Sequence, residues 1–194
     1  MAERRPEVVL VRHGETEWTR TGQHTGKTDI PLTDEGRRQA ELLRESLTGR
    51  RFVRVLTSPL SRAADTCRLA GLGDSAEVSD ELLEWDYSDY EGVTTAQIRK
   101  ERPDWNLWRD GCPGGEEPGE VGARVDRIVA ELQRLDGDAA LFAHGHVLRV
   151  LAARWIELGP EWGARLVLTT ATLSILGWER ETRAIQLWNA LAAA

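Results

Sequence analysis

The sequence predicts an α/β domain built on a mainly parallel sheet. Three observations predict it. Short apolar, β-branched runs alternate with amphipathic helical stretches, the 194 residues suit one large domain rather than two, and no repeat, low-complexity tract or linker interrupts them. A chain of this size buries roughly 70% of its unfolded surface, so it needs no disulfide or metal staple. With 41% hydrophobic residues it is not globally disordered.

Glu7–Val11 reads as a buried strand bounded by Pro6 and the charged Arg12-His13-Gly14-Glu15. Residues 16–31 lack periodicity and read as loop. Thr33–Leu47 is a predicted helix with Thr33 as N-cap, Asp34 and Glu35 in its first turn, and Ala40, Leu43 and Leu47 on one face. Phe52–Leu56 alternates as a second strand. Ser58 then caps a helix with Pro59 at its first position, ending near Ala70 at Gly71. Val78 marks a short edge strand, 95–102 a helix stopped by Pro103, and Gly111–Gly119 a loop. Val121–Leu135 carries an apolar helical stripe. Ala139–Ala143 is the third buried strand, followed by a helix over Val147–Leu158. Ala171–Trp178 and Ala184–Trp188 form a closing antiparallel pair.

Composition narrows the function classes. A net charge of −7 argues against a nucleic-acid or anionic-membrane partner. No run of about 18 apolar residues exists to span a bilayer. Met1–Pro6 leads only into Val8–Val11, too short for a signal peptide, so a cytoplasmic protein is expected. Two cysteines, Cys67 and Cys112, make neither a disulfide framework nor a zinc site. All cations but Lys27 and Lys100 are arginines, the better fork for phosphate oxygens.

Three predicted strands share one feature: each ends in cationic or imidazole groups. The first delivers Arg12 and His13, the second is followed within a turn by Arg62, and the third delivers His144. Ligands of open parallel sheets bind at the carboxyl ends of the strands, so these residues converge on one edge as an anion pocket. Backbone N–H groups at the Ser58–Pro59 helix start would add to it, and phosphate is the natural occupant.

These residues resemble a known family. Leu10-Val11-Arg12-His13-Gly14-Glu15-Thr16 is similar to the signature of the histidine phosphatase superfamily, the phosphoglycerate-mutase-like proteins. Thr57–Ala63 resembles its second phosphate-binding segment, Leu83–Gly92 its general-acid loop, and Ala143-His144-Gly145-His146 its second histidine. The blocks stand in the family's order. The resemblance implies a three-layer αβα sandwich in a single domain spanning 1–194. It implies His13 as nucleophile through a phosphohistidine, with Arg12, Arg62 and His144 holding the phosphoryl oxygens and Glu84 as general acid and base. Composition alone would leave Glu84 a solvated acid among Asp86, Asp89 and Glu91, with Asp86 in reserve. Thr19, Gln23, Thr25, Gly26, Tyr87, Gly145 and His146 are the implied substrate contacts, with His24 lining the mouth. A small phosphorylated metabolite is the expected partner, with no cofactor and no metal. A metal held by His144-x-His146 is disfavoured because no acid or cysteine cluster completes it.

Several positions depart from the mutase pattern: Thr19 and His146 stand where mutases carry Asn, and Ser88 where they carry Gly. The segment from Gly92 to Gly114 is short, and the chain ends at Leu191–Ala194 without a basic tail. A mutase must shield its phosphoenzyme from water, so a short lid predicts a phosphatase, and a general acid that must be protonated implies an optimum on the acid side of neutrality. A mutase and a non-catalytic phospho-ligand sensor are the alternatives. Further resemblance is to bacterial broad-specificity acid phosphatases and to sedoheptulose-bisphosphatase-type enzymes. Arg109 or Arg149 would then supply a second anion contact, against the plainer reading of solvated surface arginines. Trp85, Trp105 and Trp108 either wall the pocket or pack in the core.

Overall fold

The computed structural model describes residues 5–192; Met1–Arg4 and Ala193–Ala194, on which the readings of the chain's two ends partly fall, lie outside them. The strands are β1 (Val8–Arg12), β2 (Arg54–Thr57), β3 (Ala76–Val78), β4 (Ala139–Ala143), β5 (Thr172–Glu179) and β6 (Thr182–Leu191). The helices are α1 (Glu17–Thr21), α2 (Asp34–Leu47), α3 (Ser61–Leu69), α4 (Thr95–Glu101), α5 (Leu107–Asp110), α6 (Pro118–Leu132) and α7 (Gly145–Trp155). The sheet runs β3-β2-β4-β1-β5-β6. Its first four strands are parallel, and β5 and β6 are antiparallel.

Alternation along the buried strands splits the core in two, because successive side chains point to opposite faces. Val8, Leu10, Leu56 and Leu141 pack with Val121, Val125 and Ile128 of α6 and Leu148, Leu151 and Trp155 of α7. Val9, Val11, Val55 and Phe142 pack on the other face with Leu43 and Leu47 of α2 and Cys67 of α3. Helices therefore cover both faces in three layers, as the resemblance implied. No helix among the described residues is long and apolar enough to cross a membrane.

Register places the site. Arg12 pairs with Ala143 and Thr57 with Phe142, so the residues leaving β1, β2 and β4 reach one edge of the sheet together. β5 runs antiparallel to β1 and starts at that edge, where Ala171 donates its N–H to the carbonyls of Arg12 and His13.

Four local expectations need correction. Residues 16–31 contain α1, which a reciprocal Thr16–Thr19 capping box starts. Leu107–Asp110 is a further short helix, capped by Asn106. α3 begins at Ser61, with Leu60 at its N-cap position and no side-chain cap, so Ser58 is not its cap. α7 begins at Gly145, directly after β4, rather than at Val147.

The chain leaving β1 approaches α2 backbone to backbone, and the Gln39 side chain of α2 accepts the Glu15 N–H. A Cβ on Gly14 would lie 2.3 Å from the Gly36 carbonyl oxygen, and one on Gly36 would lie 2.1 Å from that of Glu15. Thr33 closes the same junction, donating its N–H to the Glu15 carbonyl and accepting the Gly36 N–H on its hydroxyl. Gly36→Ala is thus expected to lower stability by about 2–3 kcal/mol, the cost of overpacking. Urea unfolding checks it, and a loss below 0.5 kcal/mol, roughly the level of a neutral surface change, would show that this junction gives way freely.

Candidate active site

At the carboxyl edge of the sheet, Arg12, His13, Glu84, Tyr87 and His146 line a cleft with Trp18, Thr19, Gly22, Gln23, His24 and Thr25. His13 is buried, and its Nδ1 lies 2.7 Å from the Gly14 carbonyl oxygen. A carbonyl only accepts, so Nδ1 carries the proton and Nε2 keeps its lone pair. Burial, then the Arg12 and Arg62 cations, pushes His13 well below the ordinary histidine range. The imidazole is neutral at pH 7.

Arg12 donates through Nη1 to the Leu168 carbonyl, while its Nε is buried without a partner. An orphaned guanidinium N–H beside a neutral imidazole is what an anion-binding site presents. Gly145 makes room for it: a Cβ there would lie 3.2 Å from the Arg12 Cζ.

Arg62 is fully buried and mostly occupied. Its Nε donates to His144 Nδ1 at 3.1 Å, Nη1 to the Thr28 carbonyl at 2.9 Å, and Nη2 to the Thr25 and Gly26 carbonyls at 3.2 and 2.7 Å. One Nη1 hydrogen has no acceptor, and Arg62, like His144, stands behind the residues that line the cleft. His144 is equally constrained, with Nε2 2.7 Å from Ser58 Oγ and its ring edge-on to His13 at 5.2 Å between centroids. Burial and the Arg62 charge push His144 well below its ordinary range.

Glu84 is buried, 5% exposed, at the start of the acidic loop. Its Oε1 accepts the Trp85 and Val147 N–H groups at 3.0 and 2.9 Å, and its Oε2 accepts the His146 N–H at 2.9 Å. Two of these donors belong to the first turn of α7, so the helix holds the carboxylate at its N-terminus. Oε2 keeps a lone pair for a proton. Asp86 is directed elsewhere, pairing with Lys27 at 2.5 Å.

The other predicted contacts divide. Tyr87 and His146 meet at 2.5 Å through the phenol oxygen and Nδ1, and both line the cleft. Thr19 lines it, but its hydroxyl is used in the α1 capping box. Gln23 lines it too, with Nε2 donating to the Gly92 carbonyl and Oε1 accepting from Thr21. Thr25 bonds the Gln23 carbonyl. Gly26 sits behind the wall, where a Cβ would lie 2.6 Å from the Trp85 carbonyl oxygen. Trp85 and Trp105 are core, their indole N–H groups satisfied by the Glu116 and Gly111 carbonyls. Arg109 pairs with Asp110 at 2.7 Å on a separate surface cleft. Arg149 stacks over Trp108 at 4.5 Å and bonds the Gly163 carbonyl.

Sequence reasoning missed the residues that shape the loops. Glu91 accepts the Gly26 and Thr28 N–H groups, and Asp29 accepts the N–H and hydroxyl of Ser61 at the start of α3. Arg124 pairs with Glu116 and donates to the Glu81 and Leu83 carbonyls, tying the Glu84 loop to α6. Trp18 on the cleft wall was also missed, because a lone tryptophan in an irregular segment carries no periodic signal. Among the described residues, no group of three or more His, Cys, Asp and Glu side chains is placed to hold a metal ion.

Comparison with known proteins adds a family. The model of the histidine phosphatase superfamily (branch 1) matches residues 8–191. The chain is 43% identical to an acid phosphatase of Mycobacterium tuberculosis (strain ATCC 25618 / H37Rv), over 94% of this chain and 92% of that protein. It is 40% identical to a sedoheptulose 1,7-bisphosphatase of Saccharomyces cerevisiae (strain ATCC 204508 / S288c), over 80% of this chain and 69% of that one. A solved structure of a Mycobacterium tuberculosis open reading frame product superposes with a TM-score of 0.91 at 40% identity, covering 97% of this chain and 99% of the other.

The histidines set a pH dependence. His13, His144 and His146 are all pushed well below 6.5, and His24 to about 4, with burial the largest cause in each. Below pH 6.5 the unfolded chain binds protons that the folded imidazoles refuse, so stability is full above that pH and falls as acid is added. Each such histidine contributes a slope of up to about 1.4 kcal/mol per pH unit. The urea midpoint should therefore drop from pH 7 to 4.5, and His24→Asn should flatten the drop. An unchanged slope in that variant would remove His24 from the account.

Proposed function

The chain belongs to the histidine phosphatase superfamily, and from that premise we propose that it is a metal-independent phosphatase of small phosphorylated metabolites. Sugar phosphates or bisphosphates are the substrate class, and the cytoplasm is the place of action. The observation that carries this reading is the His13 tautomer: Nδ1–H is committed to the Gly14 carbonyl, so Nε2 keeps its lone pair, and His13 lines the cleft together with Arg12, whose Nε has no partner.

In the proposed reaction, His13 Nε2 attacks phosphorus as the bond to the leaving oxygen breaks. The proton on Glu84 Oε2 goes to that oxygen, and the freed alcohol departs. Glu84, now a carboxylate, takes a proton from a water whose oxygen attacks the phosphohistidine. The P–N bond breaks, orthophosphate leaves, and His13 and Glu84 return to their starting states. Arg12 carries the charge redistributed over the phosphoryl oxygens, with one N–H of Arg62 beside it. Such catalysis rests on positioning and electrostatics. An acid-side optimum follows, because Glu84 must begin protonated while His13 stays neutral far below its ordinary range.

Arg109 and Arg149 do not line the cleft and are bonded elsewhere, so neither supports a second anion subsite. The aromatic rim of Trp18, His24 and Tyr87 suits the carbon skeleton of one phosphomonoester.

Phosphate release with EDTA present, across sugar mono- and bisphosphates, phosphoglycerates and an aryl phosphate, tests the reading. His13→Ala should fall to background, and substantial residual turnover would discard the nucleophile. Glu84→Gln should slow alkyl phosphates by about 10²–10⁴-fold and aryl phosphates far less. Equal losses on both would discard Glu84 as the acid, and an isomer in place of free phosphate would make the enzyme a mutase.

A further inference from the structure

Ser58 takes no part in the proposed reaction. It is fully buried between β2 and α3, and its backbone N–H is bonded to the Phe142 carbonyl. Its Oγ lies 2.7 Å from His144 Nε2 and 3.4 Å from the Leu60 N–H. Hydrogen accounting fixes the direction of the first contact. Arginine only donates, so the Arg62 Nε–H aimed at His144 Nδ1 requires a lone pair on Nδ1. A neutral imidazole then carries its single hydrogen on Nε2, and Ser58 Oγ is the acceptor. The rings of His144 and His13 stand edge to face, 5.2 Å apart between centroids. The other unfilled nitrogen acceptor within that pair is His13 Nε2, the lone pair the proposed reaction needs.

We propose that Ser58 is a positioning residue that, by accepting the His144 Nε2–H, keeps that hydrogen off the nucleophilic nitrogen of His13. Arg62 selects the tautomer, Ser58 gives its hydrogen a destination, and His13 is left unmasked. Without the hydroxyl, a buried N–H has lost its acceptor, and a buried donor left unmade is costly enough to turn toward the next one available. The inference rests on the phosphatase reading for its kinetic consequence, but its structural content stands apart from it.

The experiment combines ¹⁵N spectroscopy of the imidazoles with kinetics of Ser58→Ala and Ser58→Thr. In the wild-type chain, His144 should be one neutral tautomer with Nε2 protonated and Nδ1 bare, and His13 Nε2 should show a free lone pair. A wild-type His144 with its hydrogen on Nδ1 overturns the proposal even if Ser58→Ala fails to fold. In Ser58→Ala, the His13 Nε2 resonance should move toward a hydrogen-bonded position. kcat should fall about 10-fold, as expected for one buried hydrogen bond, with KM changed less than about 3-fold. Ser58→Thr, which restores the hydroxyl, should recover kcat and the resonance. Unchanged kcat in Ser58→Ala, or a loss of kcat with the His13 resonance unmoved, overturns the proposal. If the wild-type chain releases no phosphate from any substrate, the function fails, and the tautomer measurement still decides the hydrogen-bond assignment.

Discussion

Burying the Arg62 guanidinium among carbonyls is the constraint on which the rest of the site depends. The cation has no carboxylate in contact. Three of its acceptors are main-chain carbonyls of the 25–28 loop, and the fourth is an imidazole. Taking such a charge out of water costs several kcal/mol unless its donors are satisfied, so loop, α3 and the end of β4 must meet in one arrangement. Glu84, Asp29 and Glu91 supply the balancing negative field at a distance. Arg12 is less satisfied still, with the Leu168 carbonyl as its acceptor and a buried Nε that has none. The fold thus keeps two desolvated cations that only a further acceptor fully repays. Any anion seated there gains what the free protein forgoes, and by linkage stabilises the chain.

Acids of the protein itself occupy N–H groups at the starts of α3 and α7. Asp29 takes the first N–H of α3, and Glu84 takes two from α7. At the start of α3 the Ser61 N–H goes to Asp29 and the Leu60 N–H faces Ser58 Oγ, so on the proposed reading side chains do most of the holding of the anion. Glu84 is thereby anchored by three N–H donors, one from Trp85 and two from the first turn of α7, which fix where its oxygens stand in the cleft.

What the sequence made legible follows from what is local. Buried strands of alternating or β-branched residues, and helices with caps and apolar stripes, carry their identity within a few residues; hence β1, α2 and β4 lie close to their expected bounds, while α6 runs Pro118–Leu132, three residues earlier at each end than its stripe suggests. Arg12, His13, Arg62 and His144 were legible because parallel strands bring their carboxyl ends to one edge whatever the loops do. Glu84 was not, since nothing within the acidic loop distinguishes it from Asp86; the difference is the first turn of α7, more than 60 residues away. Ser58 was misread for a related reason. Ser-Pro before a helix is good capping chemistry, but a tertiary partner, His144, competes for the hydroxyl and wins. Glu91, Asp29 and Arg124 act through loop backbone, and no periodicity or motif points to such contacts.

The turn from β4 into α7 concentrates these dependences. Within four residues it holds His144 against Arg62 and Ser58, places Gly145 under Arg12, and offers the His146 and Val147 N–H groups to Glu84. Cation, imidazole and acid are thereby fixed relative to one backbone segment, so none can shift without moving the others. A side chain on Gly145 would press on the guanidinium, and a longer turn would carry the acid away from the phosphoryl site. Of this segment His146 lines the cleft; the other groups able to select a substrate lie outside it. The rim of Trp18, Gln23, His24 and Tyr87 belongs to two other loops, joined through the Gln23–Gly92 contact and the stacking of His24 on Tyr87. Loops tolerate sequence change more readily than packed turns. Trp18 makes no hydrogen bond to Arg12, His13, Arg62, His144 or Glu84 while lining the cleft, so on the proposed reading a change there should alter kcat/KM for one phosphate ester against another before it alters how any of them is cleaved.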